Sequence, residues 1–111
     1  PAATAGLNYS FHLAANVTSN TFTINAASSS DTLQGAVLCV DKDTLGAVVA
    51  TNAGATVGID VPIAADHQLV QDGNTKGRFL GTKIDYVCIT DAIWHVSGVS
   101  FHDGTLATMF T

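Results

Sequence analysis

Apolar and polar side chains alternate with a period of two along much of this chain. The clearest case is residues 84–98. Ile84, Tyr86 and Cys88 alternate with Asp85, Val87 and Ile89. Thr90, Asp91 and Ala92 form a turn. Trp94 and Val96 then alternate with His95 and Ser97, and Gly98 closes the unit. That period predicts two strands, each with one face in a core. Trp94, the only tryptophan, is predicted to anchor the largest single piece of buried surface.

The same pattern recurs upstream. In residues 7–13, Leu7, Tyr9, Phe11 and Leu13 face one way and Asn8, Ser10 and His12 the other. Residues 16–20 are turn material, and Phe22 and Ile24 point inward from a second strand. The two strands are predicted to pair as an antiparallel hairpin. Residues 26–32 read as a polar loop, and 33–40 as a strand apolar enough for burial on both faces. Asp41, Lys42 and Asp43 turn the chain. A short strand at 48–51 and a turn at 52–54 follow. Val57, Ile59, Val61 and Ile63 are then predicted to face the core, with Pro62 ending that strand at a sheet edge. Residues 67–71 form a brief strand, and Asp72 to Gly77 a loop with strong turn chemistry. Phe79 and Leu80 are predicted to return to the core, and 99–104 to turn. Leu106, Met109 and Phe110 make an apolar tail.

Turn signals every eight to twelve residues or so predict a β-sandwich or barrel. The fold class is therefore a single all-β domain, an antiparallel sandwich or small barrel over residues 7–111, preceded by an arm at 1–6. Its predicted core is Leu7, Tyr9, Phe11, Leu13, Phe22, Ile24, Val37, Cys39, Val57, Ile59, Val61, Ile84, Tyr86, Cys88, Trp94 and Val96.

Composition changes this picture in one respect. Only 12% of the 111 residues are charged, against 47% hydrophobic. Globular domains usually carry roughly 25% charge. So few charges suggest a surface covered by sister subunits or a larger assembly, the alternative on composition alone being a monomer with a Thr/Ser/Asn surface. The net charge of −5 argues against nucleic acid, whose phosphates call for a basic face. No apolar run approaches the ~20 residues of a membrane helix. No basic, apolar start is present, so no secretion signal is expected.

Candidate chemistry is sparse. His12, His67, His95 and His102 show no metal-ligand spacing, and surface positions are expected for them. Asp41 and Asp43 flank Lys42 without the further oxygen ligands of a calcium loop. No serine sits in a Gly-x-Ser-x-Gly elbow. Cys39 and Cys88 lie in apolar runs, where thiols are inert. Two reduced core thiols are expected, a disulfide between neighbouring strands being the alternative. Neither a cofactor nor an enzyme activity is expected.

Two segments carry a family resemblance. Residues 94–111, WHVSGVSFHDGTLATMFT, resemble the C-terminal pattern of virion structural proteins of tailed phages, marine and cyanobacterial ones especially. Residues 1–15, PAATAGLNYSFHLAA, resemble their opening, a small-residue arm before an alternating Tyr/Phe strand. The chain departs from that pattern at Met109, where proline is expected, and in the charged loop at Lys76, Gly77 and Arg78. The resemblance implies a virion structural protein, made in the host bacterial cytoplasm.

The role expected within that family is a head decoration (cement) protein. It would sit on the outer capsid surface as a homotrimer, with the major capsid protein as partner. The alternative is a tail-fibre or spike domain that binds a host receptor or glycan. Assembly contacts are expected from the arm, through Pro1, Ala2 and Ala3. The tail is expected to add Leu106, Met109 and Phe110, which a monomer would leave partly in water.

Overall fold

The structure, a computed structural model, describes residues 2–41, 57–103 and 106–111. Seven strands are present among them: β1 (Asn8–His12), β2 (Phe22–Asn25), β3 (Thr32–Asp41), β4 (Val57–Asp60), β5 (Gln68–Gln71), β6 (Lys83–Thr90) and β7 (Ile93–His102). The expected strand at 48–51, the turn at 52–54, Lys42 and Asp43 lie outside the described residues, as does Pro1.

The chain is all-β, as its alternation predicts. Five strands form one sheet in the order β1-β6-β7-β3-β4, and β2 pairs with β5 in a second. Every pair is antiparallel except β3 and β7, which run parallel from Thr32↔Ile93 to Asp41↔His102. The large sheet is therefore mixed, not purely antiparallel. The second sheet gains a third segment from the C-terminus. Phe110 bridges to Leu69, Val70 donates its N–H to the Met109 carbonyl at 2.8 Å, and Gln68 and Thr111 exchange hydrogen bonds.

The β6–β7 hairpin is the centre of the molecule. Ala92, with φ of 67°, makes its tight turn. Cys88 sits opposite Trp94, Tyr86 opposite Val96, and Ile84 opposite Gly98. Those rows continue into β3 through Leu33, Gly35 and Val37. All the large side chains in these rows are buried, and with Ile24, Leu69, Met109 and Phe110 they form the core between the two sheets. β7 runs on to His102 because β3 goes on pairing with it to Asp41↔His102 after the β6 ladder has ended at Lys83↔Val99. The turn expected at 99–104 is thus strand through most of its length.

Other expectations are corrected. β1 and β2 do not form a hairpin. β1 pairs with β6, from Asn8↔Val87 to His12↔Lys83, and β2 with β5. Leu7, just before β1, and Phe11 within it pack against the core, but Tyr9 stands 36% exposed at the sheet edge. Leu38 of β3 is exposed, so that strand is not buried on both faces, and Leu80 is also exposed.

β4 faces the opposite way from its prediction. Cys39 pairs with Gly58 and Val37 with Asp60, and partners across a ladder point to the same face. Since Val37 and Cys39 are buried, Gly58 and Asp60 point inward. Val57, Ile59, Val61 and Ile63 are left outside. A shift of one residue would reverse this. What holds the register is polar: the Asp60 carboxylate accepts the Met109 N–H at 2.6 Å and the Thr108 hydroxyl at 2.8 Å. Gly58 leaves room for Leu106, whose Cδ1 would lie 3.2 Å from a Cβ added there.

The terminal segments fold back on the domain. Ala3 and Leu106 pack against the core, and Gly6 donates its N–H to the Cys88 carbonyl at 2.8 Å. Met109 is 0% exposed and Phe110 3%, because they close the end of the sandwich themselves. The expectation that a monomer leaves those two partly in water is thus corrected.

Candidate functional site

Three features remain once the core is accounted for: an apolar band on the outside of the large sheet, a buried polar layer, and a pocket between the sheets.

The band lies on the outward face at the β3–β4 end. Leu38 and Ile59 are cross-strand partners there, and Val57 partners Val40. Exposure is 39% for Leu38, 49% for Val57 and 70% for Ile59, and the chain just past the end of β4 adds Val61 at 57% and Ile63 at 68%. Asp60, the acid nearest in sequence, points the other way. Single exposed apolar residues are ordinary on a protein surface, but a contiguous set marks a contact region. The expected assembly residues are placed differently. Ala2 is exposed, Ala3 and Leu106 lie half-buried against the core, and Met109 and Phe110 lie inside it.

The polar layer sits at the far end of β7. Gln71, Ser100 and His102 are buried, with Asp41 beside His102 across the parallel ladder. Gln71 donates from Nε2 to the Ser100 hydroxyl at 2.9 Å. His102 was expected at the surface in a turn. It is fully buried in a strand, and its Nδ1 meets the Thr75 carbonyl at 2.5 Å. A carbonyl can only accept, so Nδ1 carries the proton and Nε2 is the free base. Nε2 has no partner among the described residues.

Burial holds the His102 pKa below its ordinary 6.5. The Thr75 carbonyl and the charges of Asp60, Asp72 and Asp41 oppose that shift without cancelling it. The folded protein therefore resists a proton that the unfolded chain takes up. Stability from this group is full above about pH 6.5 and is lost as pH falls from there toward the depressed folded value. The melting temperature should fall on acidification below about pH 6.5, and His102→Gln should flatten that part of the profile. A wild-type melting temperature that stays level from pH 7 to 5 contradicts this assignment.

Neither cysteine is poised for chemistry. Both are free and buried. Burial, reinforced by Asp60, pushes the Cys39 thiol up to about 11. Burial also raises Cys88, with Asp91 and Asp31 adding to it. Cys39 lies level with Ser100 and Cys88 level with Trp94, six residues apart along β7. At about 3.3 Å per residue that separates them by roughly 20 Å, far beyond the reach of a disulfide. The expectation of two reduced core thiols therefore holds.

The remaining polar clusters serve the fold. Asp72 caps the 72–77 loop by accepting the N–H groups of Asn74 at 2.9 Å and Lys76 at 3.0 Å. Arg78 pairs with Asp103, and its guanidinium stands 5.5 Å from the Phe79 ring centre. On the outward face of β6, Asp85 accepts from Lys83 at 2.7 Å and from Ser10. No group of three or more His, Cys, Asp or Glu side chains is arranged for a metal among the described residues.

The pocket opens between β1 and β2. Tyr9, Phe11, Tyr86 and Trp94 line it from the large sheet, and Ile24, Asn25 and Ala26 from the small one. Its volume is about 270 Å³. The rings meet at angles: Phe11 and Tyr86 pack edge to face at 5.7 Å, Tyr86 and Trp94 at 6.4 Å, and Tyr9 tilts over Trp94 at 5.9 Å. Sequence alternation placed these four aromatics on one face. It carried no sign of a gap between them, because the gap depends on how far β2 stands off, and that is set by contacts distant in sequence. Comparison with family models, with curated proteins and with solved structures finds no match.

Proposed function

We propose that this protein is a non-catalytic structural subunit that works inside a larger assembly, as a virion decoration protein does. The apolar band of Leu38, Val57, Ile59, Val61 and Ile63 carries the reading. The charged pair on the outward face, Lys83 and Asp85, stands at its β6 end, and the β3–β4 end carries branched aliphatics. Burying a large aliphatic side chain contributes about 1.5–3 kcal/mol before ordering costs. Several of them, repeated around a homotrimer, would hold copies together with few ion pairs. The resemblance of residues 1–15 and 94–111 to tailed-phage virion proteins supplies the setting, an outer capsid surface with the major capsid protein beneath. In this reading the band, not Met109 and Phe110, makes the contact.

The experiment is to count and locate the protein in purified particles, by quantitative mass spectrometry and electron cryo-microscopy. Hundreds of copies on the head are expected. A few dozen or fewer, confined to the tail, would replace the decoration role with that of a fibre or spike domain. Absence from particles would end the virion reading.

A further inference from the structure

The five-stranded sheet ends at β1 with an open edge. Cys88 donates its N–H to the Leu7 carbonyl at 2.8 Å, and Leu13 donates to the Thr82 carbonyl at 3.0 Å. Between them Tyr9 stands level with Tyr86 and Phe11 with Ile84, so Leu7, Tyr9, Phe11 and Leu13 all turn their backbone toward β6. The N–H and C=O groups of Asn8, Ser10 and His12 point the other way. Those three residues are exposed, and their backbone groups have no partner among the described residues. β2 is open in the same manner. Ala26 donates its N–H to the His67 carbonyl at 2.9 Å and Ile24 stands level with Leu69, so Thr23 and Asn25 turn their backbone groups away from β5. The cleft lined by Tyr9, Phe11, Ile24 and Trp94 lies between these two edges.

An open edge is a template for another strand, and folds ordinarily blunt it with lysine, proline or a bulge. β1 carries none of these: its sequence is NYSFH, and its register with β6 is unbroken. No residue lining the cleft is charged, so a strand added here must present uncharged apolar side chains inward. An apolar cavity of about 150 Å³ takes up benzene. The cleft, at about 270 Å³, therefore holds one or two such side chains.

The chain's own segments are committed elsewhere. The N-terminal segment is bonded to β6 through Gly6, and the C-terminal segment to β5 through Met109 and Thr111. Residues 42–56 leave from β3 and return at β4, the opposite edge of the sheet. Passing β1, lying along it and returning takes about 60 Å at about 4.8 Å per strand spacing, whereas fifteen extended residues span at most about 54 Å. A second copy offering its own β1 would bring Tyr9 and Phe11, which already line its own cleft.

We propose that the β1 edge takes up an extended segment of a different protein as an antiparallel sixth strand, held by backbone hydrogen bonds to Asn8, Ser10 and His12, with uncharged apolar side chains at alternate positions entering the cleft. Main-chain bonds then supply affinity and the cleft supplies selectivity. β1 lies at the edge opposite β4 and the apolar band, so the failure of this site and the failure of the assembly reading are separate results.

The probe is a capped peptide in which threonine alternates with leucine, threonine first and last, with a lysine added at each end for solubility. Seated antiparallel, its threonine amides meet β1 and its leucine side chains enter the cleft. Titrated into ¹⁵N-labelled protein, it should move the Asn8, Ser10 and His12 amide protons downfield and slow their exchange with solvent. The Tyr9 and Phe11 amides, already bonded to β6, should keep their exchange rates. A peptide N-methylated at its threonines should bind at least tenfold more weakly, since each lost net hydrogen bond is worth roughly two- to tenfold. One N-methylated at its leucines should bind as the parent does, because those amides face away. Ser10→Pro removes a donor that β6 does not use, so it should keep the wild-type melting temperature and lose peptide binding. No binding of the parent peptide up to its solubility limit overturns the proposal, as does any other ranking of the two methylated peptides. Unaltered binding to folded Ser10→Pro also overturns it. Exchange protection at Asn8, Ser10 and His12 that rises with protein concentration in the absence of peptide would put a second copy on the edge and overturn the proposed partner.

Discussion

Replacing Trp94 by Ala should leave the protein marginally stable or unfolded. The ring is 4% exposed and sits in the middle of three strands, with Cys88 on one side and Leu33 on the other. It also carries the edge contacts of Tyr9 and Tyr86. Truncating a buried tryptophan costs about 3–5 kcal/mol, and a domain of this kind has only about 5–15 kcal/mol in total. The loss falls toward the upper end here. The void would merge with the open pocket next to it, so no neighbouring atoms stand ready to collapse into the space. A fall in melting temperature of about 15 °C or more is expected by circular dichroism or calorimetry. Trp94→Phe should fall much less, because it keeps a ring in place. A Trp94→Ala protein that melts within about 5 °C of wild type would remove Trp94 from the centre of the core.

Gly98→Ala should be nearly as damaging, for a different reason. Gly98 has φ of 143°, which side-chain-bearing residues rarely adopt, and it lies mid-strand between Ile84 and Val37. A Cβ added there would lie 2.1 Å from the Lys83 carbonyl oxygen and 3.0 Å from the Ile84 Cα. Both obstacles are backbone, so no rotamer change relieves them. The strands β6 and β7 would have to part next to the Lys83↔Val99 end of their ladder. Backbone strain and overpacking each cost about 1–3 kcal/mol, which gives a combined loss of about 2–6 kcal/mol. Gly35 faces the same 2.1 Å approach, to the Val96 carbonyl oxygen. Gly35→Ala should therefore behave alike. Denaturant unfolding of Gly98→Ala, Gly35→Ala and the wild type measures this. A Gly98→Ala midpoint equal to wild type would mean that the two strands are not in the register described.

Much of this fold was legible because alternation is local. Ile84, Tyr86, Cys88, Trp94 and Val96 declare one inward face, and the turn at Ala92 is signalled by the residues around it. Pairing is not local. The partner of β1 is β6, some 75 residues away, and nothing within residues 7–25 says that β1 should prefer it to β2. The β4 face was misread for a related reason. Val57, Ile59, Val61 and Ile63 have the alternation of a buried set. Asp60 decides the matter through its bonds to Met109 and Thr108, at the other end of the chain. The C-terminal tail could be seen to be apolar, but not that it would close its own sandwich. His102 was hidden by its neighbours Asp103 and Gly104, which read as a turn and drew the predicted strand end back to Gly98.

The misread strand is also what brings the apolar band to the surface, and the assembly role rests on that band. Association through it should be apolar, and therefore insensitive to salt, unlike a charge-steered contact. Sedimentation velocity of the wild type and of Ile59→Lys, each at low and high salt, is the most direct test. Ile59 is 70% exposed, so lysine there should leave the fold and its melting temperature unchanged. The wild type is expected to sediment as a trimer at both salt concentrations and Ile59→Lys as a monomer. A wild type that is monomeric throughout, or an Ile59→Lys protein that assembles as well as wild type, would contradict the account.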